Sequence, residues 1–215
     1  MFNIPNTITL LRIALVVVFT AVLSVQHVSF GDIALIGGAD GPTSIFFSLT
    51  LWPGIALYAF ILAAATDWLD GYLARKLDMV TTFGKLIDPL ADKILVSAAF
   101  IYLTQAAYCP FWVTTLIICR EFLVTGLRQI AQSHGVIMAA DRSGKWKTAF
   151  QLAFCIACLI HITYGDVSTF PFNYLTSGEP GSVIRQILLW GAVVLTLWSG
   201  LHYCLQSRRF LIDRK

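Results

Sequence analysis

The sequence predicts an all-α integral membrane protein: a single transmembrane domain over residues 1–215, folded as a bundle of six spanning helices. Three observations predict it. The chain is 57% hydrophobic and 13% charged, with a mean hydropathy of +0.75, whereas a soluble domain carries about 25% charged residues. Six apolar runs each approach the roughly 20 residues that a spanning helix needs. Basic residues crowd into the connections on one side of those runs.

The first run covers about residues 8–26. It has no basic segment ahead of it and is long enough to span, so it is expected to stay as a helix rather than act as a signal peptide. The second covers 53–74 and opens on Pro53, a favourable first-turn residue because its missing N–H would have no intrahelical partner there. The remaining runs cover 85–105, 111–131, 144–164 and 183–207.

Six spans leave both termini on one side. The connections on that side carry Arg75, Lys76, Arg142, Lys145, Lys147, Arg208, Arg209, Arg214 and Lys215. The opposite loops carry Asp32, Asp40, Asp166 and Glu179, with Arg185 their one basic residue. The positive-inside rule then sets both termini in the cytoplasm. Trp52, Trp112 and Trp190 read as interface anchors or packing residues.

The stretch 27–52 contains Gly37-Gly38-Ala39-Asp40-Gly41-Pro42, a turn-rich loop. It has no preceding strand and no P-loop lysine, so it is not a phosphate cradle. The five cysteines sit mostly in apolar runs. Cys155 and Cys158 form a C-x-x-C with no second pair or clustered histidine, which reads as small apolar residues on a buried helix. His27, His134, His161 and His202 stand at no metal-ligand spacing and receive no role. Net charge is +3, and no nucleic-acid partner is expected.

The chemistry gathers at one place. Asp67 and Asp70 are spaced i, i+3, and Asp88 and Asp92 are spaced i, i+4. On helices, each pair shares a face. One pair ends the second run and the other opens the third, both on the cytoplasmic side. Four carboxylates brought together repel and raise one another's pKa values, so a cation must offset them. Oxygen ligands without His or Cys suit hard cations such as Mg2+ or Mn2+. A solvated acidic surface accounts for the charge but not for the paired spacing. Carboxylates inside a membrane protein also fit a divalent-cation transporter. That rival needs acidic residues near the midplane, and the first, fifth and sixth runs have none. Gly71, Ala74 and Gly84 leave room for a ligand to approach the backbone, with helix packing as the competing reason for each.

The stretch from Asp67 through Asp70, Gly71, Ala74 and Arg75 to Gly84, Asp88 and Asp92 reads D-x2-D-G-x2-A-R-x8-G-x3-D-x3-D. This pattern resembles the signature of the CDP-alcohol phosphatidyltransferases at every fixed position and gap. The resemblance implies two divalent ions, Mg2+ or Mn2+, held by Asp67, Asp70 and Asp88, with Asp92 as general base also touching the second metal. It implies that Gly71, Ala74, Arg75 and Gly84 surround the CDP part of a CDP-lipid donor. It further implies a homodimer among membrane lipids, in a bacterial cell (inner) membrane.

Further stretches are similar to the glycerol-3-phosphate branch of that family. They are Asn3 to Arg12, Arg120-Glu121-Phe122 to Arg128, and Gly144-Lys145-Trp146-Lys147-Thr148. The expected reaction is transfer of a phosphatidyl group from CDP-diacylglycerol to glycerol 3-phosphate, with release of CMP. Serine, inositol phosphate and phosphatidylglycerol are the alternative acceptors. Glycerol 3-phosphate is a dianion, and Arg120, Arg128, Lys145 and Lys147 are the cations available to it. Headgroup contact is the competing role for the lysines. For Arg120 it is an ion pair with Glu121, although immediate neighbours on a helix do not face each other; Glu121 can instead orient another cation. Asn6, Thr9 and Arg12 are expected at the donor site, with helix capping as the rival for Thr7 and Asn6.

Overall fold

The computed structural model describes residues 10–24, 53–66, 82–133, 142–165 and 178–212. Among them every regular element is an α-helix: α1 Leu10–Ser24, α2 Pro53–Thr66, α3 Thr82–Gln105, α4 Phe111–Ser133, α5 Arg142–Tyr164 and α6 Gly178–Ile212. The stretches Gly144–Tyr164 in α5 and Glu179–Leu205 in α6 are long and apolar enough to cross a membrane. The apolar parts of α1, α2 and α3 are shorter. α4 has the length but carries Arg120 and Glu121 at its middle and Arg128 beyond them.

Local sequence explains the boundaries. α2 opens on Pro53. α6 begins at Gly178, ahead of the apolar run at Val183, with Glu179 in its first turn, where a carboxylate complements the positive end of the helix dipole. α3 closes in a Schellman motif. The Tyr108 N–H donates to the Leu103 carbonyl at 2.9 Å and the Ala107 N–H to the Thr104 carbonyl at 3.1 Å. Ala107 takes the left-handed conformation at φ 62°. Pro110 stands directly before α4, its carbonyl accepting from the N–H groups of Val113 and Thr114 at 3.0 and 3.3 Å.

Aromatic side chains join the helices. Phe19 of α1 meets Phe60 of α2 at 5.6 Å, and Phe100 of α3 stacks on Phe154 of α5 at 5.7 Å. All four rings are buried. The hydroxyls of Thr104 and Thr114 pair at 2.5 Å across the α3–α4 turn. α5 packs most extensively on α6. There Gly191 brings the α6 backbone so close that a Cβ would lie 2.6 Å from the Phe150 ring. Trp112 and Trp190 meet each other at 6.0 Å.

The bundle departs from a soluble protein in what it exposes and in the charges it buries beside its apolar core. Val183, Ile187, Trp190, Val194, Leu197, Trp198, Leu201 and Leu205 of α6 are exposed, while Arg12, Glu121, Lys147, Gln151, Thr196 and Ser199 are buried. An outward apolar stripe at helical spacing with charges inside suits lipid as the surrounding solvent.

Candidate functional site

The buried charges converge on Glu121, midway along α4. Its side chain is 3% exposed. Oε1 accepts a hydrogen bond from Lys147 Nζ of α5. Oε2 lies 3.0 Å from Lys93 Nζ of α3. Arg120, its neighbour in sequence, reaches Oε1 at 3.5 Å, the longest of the three contacts. Glu121 thus links three helices, and its main partners lie on other helices, as expected where adjacent residues do not face each other.

The arginines are held from α6. Arg120 Nη2 donates to Ser199 Oγ at 2.7 Å. Its stem crosses α6 at Gly200, where a Cβ would meet Arg120 Cγ at 3.2 Å. Arg128 stands two turns further along α4 and donates through Nη2 to the Tyr203 hydroxyl. Its guanidinium carbon lies 4.8 Å from the centre of the Tyr203 ring, and that of Arg120 lies 5.9 Å from the same ring. Both distances fall within the range of a cation–π contact. Gln151 of α5 donates to Thr196 of α6 at 3.4 Å, extending the polar interior.

Among the described residues, Lys93, Arg120 and Lys147 meet one buried carboxylate, and Arg128 joins Arg120 over the Tyr203 ring. Arginine forks and lysine ammonium groups gathered in this way suit an anion with several oxygen acceptors. The structure thus brings together Arg120 and Lys147, and connects Arg128 to them through Tyr203. It does not bring Lys145 in: Lys145 is exposed whereas Lys147 is 2% exposed. At roughly 100° per residue, two positions along a helix face nearly opposite ways. Sequence reasoning missed Lys93, Ser199 and Tyr203. The available signal for Lys93 was a lone lysine directly after Asp92, inside an otherwise apolar stretch.

Of the aspartate signature, Gly84, Asp88 and Asp92 lie on α3, with the side chains of the two aspartates outside the description. Asp67, Asp70, Gly71, Ala74, Arg75, Asn6 and Thr9 lie outside the described residues, although described α2 ends at Thr66, directly before Asp67. Because α3 is helical from Thr82, Asp88 and Asp92 share one face of it, one turn apart. Their donor set, oxygen only, fits hard divalent cations. Lys93 carries the same helix into the cationic cluster. Arg12 is buried at 1% exposure on α1.

The cysteines take no part in this chemistry. All five are free thiols, and Cys109, Cys155 and Cys158 are buried. In the α3–α4 turn, burial pushes the Cys109 thiol up, which keeps it protonated and unreactive. Among the described residues no three His, Cys, Asp or Glu side chains gather into a metal site.

Comparison with known proteins places the whole chain. Residues 2–198 match the family profile described as CDP-alcohol phosphatidyltransferase. The CDP-diacylglycerol–glycerol-3-phosphate 3-phosphatidyltransferase of Bacillus subtilis is 41% identical over 203 residues, covering 94% of this chain and 94% of that protein. The enzyme of the same name from Mycoplasma pneumoniae is 34% identical, over 95% of this chain and 84% of its own length. That of Haemophilus influenzae is 30% identical, over 99% and 97%. With the signature complete in sequence and the match running almost end to end, the chain belongs to the CDP-alcohol phosphatidyltransferase family.

Proposed function

We propose that this membrane transferase moves the phosphatidyl group of CDP-diacylglycerol onto glycerol 3-phosphate, giving phosphatidylglycerophosphate and CMP. The relatives that align along nearly its whole length carry the name of that activity. The observation that carries the acceptor is the cluster of Lys93, Arg120 and Lys147 on Glu121, with Arg128 beside Arg120 over the Tyr203 ring. Serine is a zwitterion of no net charge and carries no phosphate for these cations. Glycerol 3-phosphate does, as a dianion, and arginine forks and lysine ammonium groups are the side chains suited to phosphate oxygens. Lys145, exposed on α5, is assigned to the rim of this site.

In this reading all six helices span the bilayer, with the termini and the site on the cytoplasmic side. Both substrates carry charged phosphate groups, and the basic connections lie on that face. Asp67, Asp70, Asp88 and Asp92 hold two divalent ions, Mg2+ or Mn2+. When bound, the ions polarise the diphosphate and stabilise the charge of the departing CMP. Gly71, Ala74, Arg75, Gly84, Asn6 and Thr9 hold the CDP part of the donor. Asp92 takes the proton from the acceptor hydroxyl. The cationic cluster fixes the phosphate end of glycerol 3-phosphate, so that its free hydroxyl, not its phosphate, meets the donor. The diacylglycerol chains remain among the membrane lipids, and the family resemblance supports a homodimer.

Incorporation of radiolabelled glycerol 3-phosphate into lipid by the purified protein tests the assignment. Label should enter lipid with CDP-diacylglycerol and Mg2+ or Mn2+, and a chelator should stop it. Incorporation of serine instead would overturn the acceptor assignment. Metal uptake into proteoliposomes with no CMP release would overturn the enzymatic one.

A further inference from the structure

We infer that Glu121 is a positioning residue for the acceptor-phosphate site. It fixes Lys147 and Lys93 from two other helices and thereby ties the phosphate-binding cations to the helix that bears Asp92. This rests on the reading of the cationic cluster as the acceptor site.

Glu121 itself is unsuited to touch the substrate, because a carboxylate repels a phosphate dianion. Its surroundings show what it does instead. Its two oxygens are shared among helices: Oε1 takes Lys147 of α5 and Arg120 of α4, and Oε2 takes Lys93 of α3. Lys147 has three N–H donors on a flexible stem. One is directed to Glu121, which sets where the ammonium stands. The ordering of these long stems then occurs on folding rather than on ligand binding, which lowers the entropy lost when substrate arrives. The carboxylate also relieves the mutual repulsion of three cations that face it. Lys93 directly follows Asp92 on α3. Through it, Glu121 fixes the distance between the helix of the general base and the cations that hold the far end of the acceptor. A hydroxyl must lie within hydrogen-bond reach of its base, so that distance governs how well glycerol 3-phosphate fits.

Steady-state kinetics of the purified full-length protein in detergent, with each substrate varied, test this. Glu121→Gln should raise KM for glycerol 3-phosphate roughly tenfold or more, with KM for CDP-diacylglycerol and the metal requirement within about twofold of the parent. Glu121→Asp, which keeps the charge, should fall between the two. A Glu121→Gln protein that matches the parent, or one whose two KM values rise together, overturns the inference. Lys93→Met/Lys147→Met and Lys93→Met/Glu121→Gln/Lys147→Met give a second measurement should the single Glu121 variant fail to fold, because the triple variant removes the carboxylate together with both lysines it fixes. A residue acting through those lysines adds little once they are gone. The triple variant should therefore hold its glycerol 3-phosphate KM within about threefold of the double variant, and a larger increase overturns the inference. If Lys147→Met and Arg120→Ala both leave that KM unchanged, the acceptor-site reading fails with it. If they raise it and Glu121→Gln does not, the positioning role alone fails.

Discussion

Lys147 on α5 donates to Oε1 of Glu121 on α4, and both side chains are almost wholly buried. Removing one member of such a pair leaves the other charge uncompensated in a low-dielectric interior, which costs about 3–5 kcal/mol. Replacing both with uncharged side chains of similar volume is far milder. Glu121→Ala should therefore lower the unfolding temperature in detergent sharply, and Glu121→Gln/Lys147→Met should recover part of the loss, because Lys93 and Arg120 keep their charges. Equal unfolding temperatures for Glu121→Ala and the parent would show that water reaches the pair.

Asp92→Asn tests the base assigned above. The amide keeps the size of the side chain but cannot accept the hydroxyl proton. Turnover should fall by roughly 10²–10⁴, while binding of CDP-diacylglycerol, followed by ligand-induced thermal stabilisation, stays largely intact. Turnover within a few-fold of the parent would remove Asp92 from that role.

Gly191 and Phe150 set the distance between α5 and α6. A methyl group at Gly191 would stand 2.6 Å from two atoms of the Phe150 ring, closer than carbon atoms approach. Gly191→Ala should destabilise by about 1–3 kcal/mol, the usual cost of overpacking. Adding Phe150→Leu should restore much of it by freeing the space the ring occupies. Because Arg120 is anchored on Ser199 of the same helix, the Gly191→Ala protein should also show a raised KM for glycerol 3-phosphate. Thermal unfolding and steady-state kinetics check the two effects separately.

How far the sequence reaches follows from which interactions are local. The six apolar runs and the D-x2-D…D-x3-D pattern are properties of neighbours along the chain, so they are readable there. Charge and the resemblance of their stretches mark Arg120, Arg128 and Lys147, because a cation in an apolar run is costly wherever it points. The same two signals mark Lys145, since only the helix face separates it from Lys147. Glu121 was read as able to orient a cation, but which one depends on three helices meeting. Lys93 went unassigned for that reason: its partner is far along the chain, and its immediate neighbour, Asp92, already explained a polar residue there. Ser199 and Tyr203 gave no signal, being ordinary polar residues on an apolar helix until the arginines of α4 reach them.

The close of α3 was equally hidden, because the left-handed position of its Schellman motif holds Ala107 and not glycine. An L-residue with a Cβ pays roughly 1–2 kcal/mol to adopt that conformation, whereas glycine adopts it without steric conflict. Glycine also gains more freedom in the unfolded chain, which offsets part of the difference. Ala107 is exposed, so removing its methyl group opens no cavity. Ala107→Gly should therefore stabilise the protein by about 0.5–1 kcal/mol, read as a rise in unfolding temperature with KM for both substrates unchanged. Ala107→Val should do the opposite, since branching at Cβ tightens the same clash. A Gly variant less stable than the parent would mean that the α3–α4 turn does not hold the left-handed conformation in the membrane protein.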